Sequence, residues 1–350
     1  MADLRERYFD NAATTPLDPR VLDAMLPWLT EGWGNAHSIH EPGRKAMEAV
    51  EKARMQVAEL LGCEPEEIFF TSGATESNNW VLRAHPRALV GATEHSSVRE
   101  TAVALGHEFM DAPEALTPGF PLVSHMLVNN EVGAVYNLIR PTGSKLHSDI
   151  TQALGKIPIN LASTDLASFS SHKFYGPKGV GGLFARHGDA PEPLMLGGEQ
   201  EQDRRAGTLN VAGIVGMGAA AAIAKDEQPK DHELATSLRA IVLEELSGIS
   251  ELEVNDGEIV SPYILSLSFC GLEGETLVIE MDQAGFAISS GAACSAGSSE
   301  PSHVLVAMGI EPEWIRGTIR ISFGRFNTQE AARDLGRTLK STTEKIRRFH

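Results

Sequence analysis

Cysteine is scarce in this chain: 3 of its 350 residues are cysteines, at positions 63, 270 and 294. Their number is odd, they lie far apart, and no two of them form a C-x-x-C pair. This pattern suggests neither a disulfide framework nor a zinc site, so we expect no bound metal. A reducing compartment fits such cysteine usage, and we expect the protein in the cytoplasm.

Long apolar runs and an excess of positive charge are also missing. The longest apolar stretch, residues 211–224, is rich in Gly and Ala and shorter than the roughly 20 residues that span a bilayer. Residues 1–10 mix acidic and basic side chains and lack the apolar core of a signal peptide. The formal net charge of −17 repels phosphate backbones and anionic lipids. We therefore expect neither nucleic acid nor a membrane as a partner.

The first two thirds of the chain show an α/β pattern. A helix is predicted over residues 42–61, because apolar residues recur at helical spacing before Gly62. Apolar runs typical of buried strands follow, separated by helical or loop segments. They are residues 68–70, 88–90, 122–128, 145–148, 166–169 and, as an edge strand, 181–185. This alternation favours a mostly parallel sheet.

The last third shows a different pattern. After the Gly- and Ala-rich helix of residues 211–224, the composition changes around residues 225–233. Helices are then predicted over residues 235–246, 276–284 and 329–348, and strands over residues 263–269 and 319–323. This order of elements indicates a smaller α+β domain after the large α/β domain.

Polar side chains follow five of the predicted strands, at the point where each strand ends. They lie in residues 71–76, 93–95, 129–131, 149–152 and 170–173. Because ligands of open α/β sheets bind beyond the carboxyl ends of the strands, we expect these side chains to form one site.

The segment of residues 71–76 has the features of a phosphate site. Gly73 permits a tight turn, and the backbone N–H groups near Ala74 and Thr75 would point outward from a helix N-terminus. No G-K-[ST] sequence follows, so the segment is not a P-loop. The alternative interpretation is an ordinary helix start that is capped by Ser72 or Thr75.

Four side chains in the other segments suit a pyridine cofactor. Lys173 at a buried strand end can lose its proton and form a Schiff base, although an isolated lysine there more often reaches solvent. Asp149 would keep a ring nitrogen protonated, which makes the ring an electron sink, but it can also be a simple turn residue. Gln152 could hydrogen-bond the phenolic oxygen of such a ring, and His95 could stack on its face and handle protons.

Cys294 lies in a segment, residues 289–299, that contains only small side chains. Such a segment is expected to be a mobile loop. One interpretation is a surface linker whose cysteine is incidental, and the other is a movable thiolate that collects sulfur and delivers it elsewhere. Cys63 and Cys270 lack this setting.

Together these stretches resemble the NifS/IscS-type cysteine desulfurases, within the aminotransferase class V (fold type I) pyridoxal-phosphate enzymes. The resemblance runs from residues 8–16 to residues 319–325, nearly the whole chain. Its most specific stretches are residues 70–77, 93–95, 128–133, 170–177, 205–208 and 290–303. The resemblance implies a mostly parallel seven-stranded sheet in a large domain, residues 15–230. A smaller α+β domain, residues 1–14 and 231–350, would carry the cysteine loop.

The resemblance also implies a role for each matching residue. Lys173 would bind pyridoxal phosphate, Asp149 would pair with the ring nitrogen, and His95 would stack on the ring. The remaining cofactor contacts would come from Ala74, Thr75, Asn130, Gln152, Ser170, His172 and, across a homodimer interface, Thr208. Asn35 and Arg320 would bind the substrate carboxylate, and Cys294 would form the persulfide.

The activity implied is conversion of L-cysteine to L-alanine, with sulfur passing from Cys294 to an acceptor protein for iron–sulfur cluster assembly or thiolation. A selenocysteine lyase, an aminotransferase of the same fold and a catalytically silent scaffold subunit are the alternatives. The connections between His95 and Asn130, and between Asn130 and Asp149, are compressed relative to the family. Pro141 and Gly143 disfavour a helix in the second of them.

Overall fold

The computed structural model of the protein describes residues 4–110, 119–290 and 301–348, and the chain divides into two units. The large unit comprises Thr15–Leu127 and Asn137–Gln228. The small unit comprises Met1–Thr14, Val128–Tyr136 and Pro229–His350. None of the helices in the described residues is long and apolar enough to cross a membrane.

A seven-stranded sheet forms the centre of the large unit. Its strands are β1 (Ile68–Thr71), β2 (Ala88–Val90), β3 (Glu108–Phe109), β4 (Leu122–Ser124), β5 (Lys145–Asp149), β6 (Leu166–Ser170) and β7 (Gly181–Ala185). They lie in the order β1-β7-β6-β5-β4-β2-β3, and only β7 runs antiparallel to its neighbours. Most strand residues are fully buried, as in parallel sheets with both faces covered. The predicted mostly parallel sheet is confirmed.

The helices of the large unit start and stop at recognisable signals. They are α1 (Pro19–Thr30), α2 (Glu41–Leu61), α3 (Ala74–Arg83), α4 (Ser96–Leu105), the short α5 (Gln200–Asp203) and the first part of α6 (Val211–Glu245). Asp18 caps α1 by accepting the backbone N–H of Arg20 at 3.0 Å. Gly62 ends α2 in the left-handed conformation, with φ 70°. The predicted helix over residues 42–61 is confirmed.

Strand β7 lies between β1 and β6, so the prediction of an edge strand at residues 181–185 is wrong. The reason is the absence of side chains at Gly181 and Gly182. A Cβ at Gly182 would lie 2.5 Å from the Phe169 ring, and one at Gly181 would lie 2.6 Å from Gly73 Cα. Because both residues lack a side chain, β7 can lie between β1 and β6 in the interior of the sheet. The short β3 occupies an edge instead.

The connection from β4 to β5 contains no helix, in agreement with Pro141 and Gly143. The predicted strand over residues 122–128 is wrong beyond Ser124, although the backbone of residues 125–127 still bonds to β5. An ion pair of 2.7 Å between Arg140 and the buried Asp165 holds the connection in place. A buried apolar cluster beside the sheet comprises Leu89, Met110, Phe120, Val123 and Leu146, and Leu138 of the connection packs against it.

The small unit contains a four-stranded antiparallel sheet and helices. Its strands are β8 (Leu252–Val254), β9 (Ile264–Phe269), β10 (Ser289–Ser290) and β11 (Thr318–Ser322), in the order β10-β11-β9-β8. Its helices are α7 (Gly274–Gln283), α8 (His303–Ala307), α9 (Pro312–Arg316), α10 (Gln329–Arg347) and the last part of α6.

Helix α6 runs without a break from residue 211 to residue 245, so the two separate helices predicted there are wrong. Pro229 removes one backbone hydrogen bond, but the charged residues before it are good helix formers. Two of them are also held by ion pairs, Lys225 with Glu59 at 3.0 Å and Glu227 with Arg20 at 2.7 Å.

A buried ion pair fixes β1 in the large unit. Arg54 binds both carboxylate oxygens of Glu201, at 3.0 and 2.8 Å, and the two side chains are 9% and 1% exposed. Arg54 also donates to the carbonyl of Ile68, and Glu201 accepts the N–H of Phe70 at 2.7 Å. Both ends of the ion pair therefore bond to the strand that leads into the segment of residues 71–76.

Replacement of this buried carboxylate should be strongly destabilising. We expect Glu201→Gln to lower the free energy of unfolding by about 3 kcal/mol, because it removes the buried carboxylate and leaves the guanidinium of Arg54 only the half-exposed Glu51 as a counter-charge, at 3.2 Å. Denaturant unfolding at fixed protein concentration measures the change. The matched control is Glu108→Gln, which breaks an exposed pair with Arg87 and should cost less than about 1 kcal/mol. Equal losses in both variants would contradict the argument.

Candidate active site

The structure places the predicted lysine directly after a central strand. Strand β6 ends at Ser170, and a single 3₁₀ turn, Ser171–Lys173, follows it. The carbonyl of His172 in this turn accepts from the backbone N and the Oγ1 of Thr15, at 2.9 and 3.0 Å. The Lys173 side chain is half-buried. These hydrogen bonds anchor the turn to Thr15 and fix the position of the Lys173 backbone after the end of β6.

The predicted phosphate segment lies at the N-terminus of α3. Ala74 is its first residue, and the Ala74 backbone N–H donates to Ser170 Oγ at 2.7 Å. Gly73 is the N-cap and no side chain caps the helix, so Ser72 and Thr75 do not serve as its cap. A Cβ on Gly73 would lie 3.3 Å from Ser170 Oγ, so the bare glycine keeps this corner open. The arrangement offers N–H and O–H donors to an anion.

Asp149 is the last residue of β5 and is 5% exposed. Its Oδ1 accepts the backbone N–H of Thr151 at 2.9 Å, and its Oδ2 accepts Asn78 Nδ2 at 2.8 Å. These two hydrogen bonds hold the carboxylate in one orientation. A buried carboxylate held in this way can keep a proton on a basic ring nitrogen.

His95 lies at the N-cap of α4 and is half-buried. Its Nδ1 accepts the backbone N–H of Ser97 at 3.1 Å and lies 2.8 Å from Ser97 Oγ. Ser97 Oγ in turn accepts from Asn78 Nδ2 at 2.9 Å. His95 and Asp149 are therefore linked through two intervening side chains.

Gln152 follows Asp149 by three residues and is 4% exposed. Its Oε1 accepts the ammonium of Lys156, itself 2% exposed, at 2.9 Å. An ammonium group only donates, so this contact determines which end of the Gln152 amide is the oxygen. The other end of the amide is therefore the NH₂ group, which is the kind of donor that a phenolic oxygen of a ring would require.

Three lysine side chains act electrostatically on His172. Burial, together with the charges of Lys173, Lys178 and Lys156, lowers the pKa of His172 to about 4. The imidazole is therefore neutral at physiological pH. Three nearby cations also favour binding of a dianion such as a phosphate ester.

The small unit contains a buried guanidinium. Arg320 on β11 is 2% exposed, and it donates to the carbonyl of Asn130 at 2.7 Å and to Asp10 Oδ1 at 2.9 Å. Its Nε is buried and has no hydrogen-bond partner among the described residues. A third donor with an unmet hydrogen bond suits a carboxylate ligand.

The remaining predicted residues are not joined to this group by the structure. Asn35 and Thr208 are exposed in the large unit, and Asn35 Oδ1 accepts the N–H of His37 at 3.0 Å. Cys294 lies outside the described residues. Burial raises the pKa of the Cys63 thiol to about 12, and partial burial with nearby carboxylates raises that of Cys270. These two thiols are poor nucleophiles at neutral pH.

Three residues at the site were missed by the sequence analysis: Asn78, Ser97 and Lys156. A signal for Asn78 was present, because it lies four residues after Ala74 and so falls on the buried face of a helix that starts there. A buried amide requires partners, which predicts a polar network. No signal in the sequence identifies which partners it has.

These residues fit a phosphorylated pyridine cofactor. The start of α3 with Ser170 offers donors to a phosphate, Asp149 offers a carboxylate to a ring nitrogen, and Lys173 offers an amine. The fold and the site therefore define a pyridoxal-phosphate-dependent enzyme.

Comparison with known proteins gives the family. The model of the aminotransferase class-V family matches residues 7–335. The cysteine desulfurase IscS of Dictyoglomus turgidum is 39% identical, over 98% of this chain and 96% of that protein. The chain belongs to the aminotransferase class-V family, and its cofactor is pyridoxal phosphate.

Two solved structures are similar over most of this chain. A NifS-like protein matches with a TM-score of 0.88 and 34% identity, over 97% of this chain and 100% of that one. SspA in complex with cysteine matches with a TM-score of 0.76 and 30% identity, over 92% of this chain and 100% of that one.

A buried histidine beneath the site should make the protein sensitive to acid. His147 on β5 is 0% exposed, its ring nitrogens lie 2.8 and 2.9 Å from Ser124 Oγ and Ser168 Oγ, and burial lowers its pKa to about 4. The unfolded chain takes up this proton near pH 6.5, so the folded state loses stability as pH falls from 6.5 to 4.

From pH 7 to pH 5, His147 alone should lower the free energy of unfolding by about 2 kcal/mol. We expect His147→Gln to lose correspondingly less over that range, as measured by urea unfolding at both pH values. The control is His187→Gln at an exposed position, which should keep the wild-type dependence on pH. An unchanged slope in His147→Gln would contradict the prediction.

Proposed function

We propose that this protein is a cysteine desulfurase, which converts L-cysteine to L-alanine and passes the sulfur on as a persulfide. One observation carries the proposal: a site suited to a lysine-bound pyridoxal phosphate occurs in a chain about 40% identical to IscS cysteine desulfurases over nearly its full length. The protein of known structure that holds cysteine adds support for the substrate.

The cofactor would be held by the residues that the strand ends supply. Lys173 would bind it covalently, Asp149 would hold a proton on its ring nitrogen, and His95 would stack on the ring. Gln152 and Asn130 would contact the phenolic side, and the phosphate would lie against Ala74, Thr75, Ser170 and His172. When bound, pyridoxal phosphate supplies an electron sink for the substrate's α-carbon.

The chain's own residues move protons and sulfur. The Lys173 amine takes the α-proton of cysteine, since a half-buried amine is a stronger candidate base than a solvated ammonium. The Cys294 thiolate attacks the sulfur of the bound cysteine, so that an S–S bond forms as the C–S bond breaks. The electron pair of that bond remains with the carbon fragment, which takes up one proton at the β-carbon, regains one at the α-carbon from Lys173, and leaves as alanine.

Arg320 would bind the carboxylate of cysteine together with Asn35. Support comes from its burial, from its unpartnered Nε among the described residues, and from Asp10, which holds the guanidinium in one orientation. A guanidinium binds a carboxylate more specifically than an ammonium does, because it offers parallel donors.

We also propose a homodimer in which Thr208 contacts the phosphate held by the partner subunit. Support comes from the exposure of Thr208 and from an exposed apolar face of α1, formed by Leu22, Leu26 and Leu29 at helical spacing. The persulfide would go to an acceptor protein in the cytoplasm, for iron–sulfur cluster assembly or thiolation.

Turnover of cysteine tests the proposal. The purified protein with pyridoxal phosphate and a thiol reductant should form alanine and sulfide from L-cysteine in a one-to-one ratio. Formation of a keto acid instead would identify an aminotransferase, and strict preference for selenocysteine would identify a lyase. Cofactor binding without any product would support a silent scaffold subunit and refute the proposal.

A further inference from the structure

An asparagine that the proposed reaction does not use lies at the centre of the site. Asn78 on α3 is 0% exposed, and its Nδ2 donates to Asp149 Oδ2 at 2.8 Å and to Ser97 Oγ at 2.9 Å. An amide nitrogen has two hydrogens, so both are used. The reverse orientation would place the amide oxygen against a carboxylate, so Asp149 determines how Asn78 is turned.

The direction of these hydrogen bonds continues to the imidazole. Ser97 Oγ accepts from Asn78, so its own hydrogen is available to His95 Nδ1 at 2.8 Å. The same Nδ1 accepts the backbone N–H of Ser97 at 3.1 Å. A ring nitrogen that accepts hydrogen bonds carries no proton, so the neutral imidazole holds its proton on Nε2. The backbone N–H of Ser97 thus sets the tautomer of His95, and the chain from Asp149 through Asn78 and Ser97 Oγ is oriented to reinforce it.

The network has a cost that its stabilising bonds must offset. Asn78 Oδ1 is buried and has no hydrogen-bond partner among the described residues. Burying an unsatisfied amide oxygen is unfavourable, and an apolar side chain of similar size would avoid this cost. What the amide gains in return is the pair of hydrogen bonds that it donates to Asp149 and Ser97.

We propose that Asn78 is a positioning residue that couples the Asp149 carboxylate to the His95 imidazole. The counter-ion of the ring nitrogen and the ring-stacking group then keep one arrangement relative to each other. This inference rests on the proposed placement of the cofactor at those two side chains. Asn78 acts through them, so its loss should affect the rate of the chemical step more than the binding of cysteine.

The experiment compares Asn78→Leu with the wild type in three measurements: binding of pyridoxal phosphate to the apoprotein, the pH dependence of the visible absorption, and kcat and KM for cysteine. We expect binding to weaken by about tenfold or more, because a hydrogen bond to a charged group is lost. The pH midpoint of the absorption should shift, and kcat should fall with little change in KM. Thermal unfolding of the apoprotein checks that the variant is folded, and a modest loss of stability is expected because Asp149 Oδ2 loses a donor.

Two further variants separate positioning from folding. Asn78→Asp keeps the shape of the side chain but opposes a second carboxylate to Asp149, so it should weaken binding at least as much as Asn78→Leu. The neighbouring Asn79 donates to the carbonyl of Thr75 at 3.0 Å. Asn79→Leu is therefore the matched control, and its binding and absorption should stay within about twofold of wild type.

A double variant tests the coupling itself. Ser97→Ala should shift the absorption midpoint in wild type but add little to Asn78→Leu, since the chain to His95 is already broken. Glu94 and His147 also act electrostatically on Asp149 and are the same in every variant.

Either of two results would overturn the inference. One is that the shifts of the absorption midpoint caused by Ser97→Ala and Asn78→Leu simply add in the double variant. The other is that either Asn78 variant binds the cofactor and absorbs as the wild type does. Binding and absorption do not require turnover. A wild-type protein that binds the cofactor but leaves cysteine unchanged would refute the proposed function alone.

Discussion

Lys173→Ala should reduce cysteine turnover by about 10⁴-fold or more, because one side chain supplies both the covalent attachment of the cofactor and the base for the α-proton. The variant should also lose the visible absorption that a lysine-bound cofactor gives. The measurements are alanine formation and the absorption spectrum after dialysis. Since the 3₁₀ turn is held through its backbone by Thr15, the fold around residue 173 should survive the substitution.

Two further variants serve as a comparison and a control for Lys173→Ala. Lys173→Arg keeps the positive charge but cannot form the covalent link, so it should be as inactive as Lys173→Ala if the link is the essential feature. Lys225→Ala removes an exposed lysine of α6 and should leave turnover unchanged. Retention of a dialysis-resistant cofactor spectrum by Lys173→Ala would mean that another amine holds the cofactor.

Cys294→Ala should bind pyridoxal phosphate like the wild type but release at least about 100-fold less sulfide from cysteine in the presence of a thiol reductant. The thiolate is the nucleophile in this step, and alanine offers none. Sulfide release and the cofactor spectrum, measured on the same preparation, separate sulfur transfer from cofactor binding.

The other two cysteines are the controls. Burial raises the pKa of Cys63 to about 12, and the pKa of Cys270 is raised as well, so both thiols are mostly protonated at neutral pH. Cys63→Ala and Cys270→Ala should therefore keep sulfide release. Full release by Cys294→Ala would show that the sulfur carrier has been assigned to the wrong residue.

Much of the large sheet could be predicted from the sequence. Strands β1, β2, β5, β6 and β7 agree with the predicted ranges within one residue. The clearest signals are those of β1 and β2, whose apolar runs are typical of strands buried on both faces. The strand ends then indicate where Asp149, Ser170 and Lys173 come together, since parallel strands present their carboxyl ends at one edge.

Other features depend on contacts between residues far apart in sequence, and local patterns do not contain them. The interior position of β7 depends on its fit against Phe169. The continuity of α6 depends on partners such as Arg20 and Glu59. The network through Asn78 depends on which side chains α3 and α4 turn toward β5, and no spacing rule specifies that choice.

The interior glycines of β7 have a consequence for how this protein can diverge. Gly181 and Gly182 supply no chemical group, yet the strand next to them ends in the turn that carries Lys173. Any larger residue at either position would displace Phe169 or Gly73 and, with them, the neighbouring reactive groups. Gly181 and Gly182 take no part in the chemistry, yet they should be among the positions of the sheet that tolerate substitution least. Exposed charged positions should tolerate substitution much better.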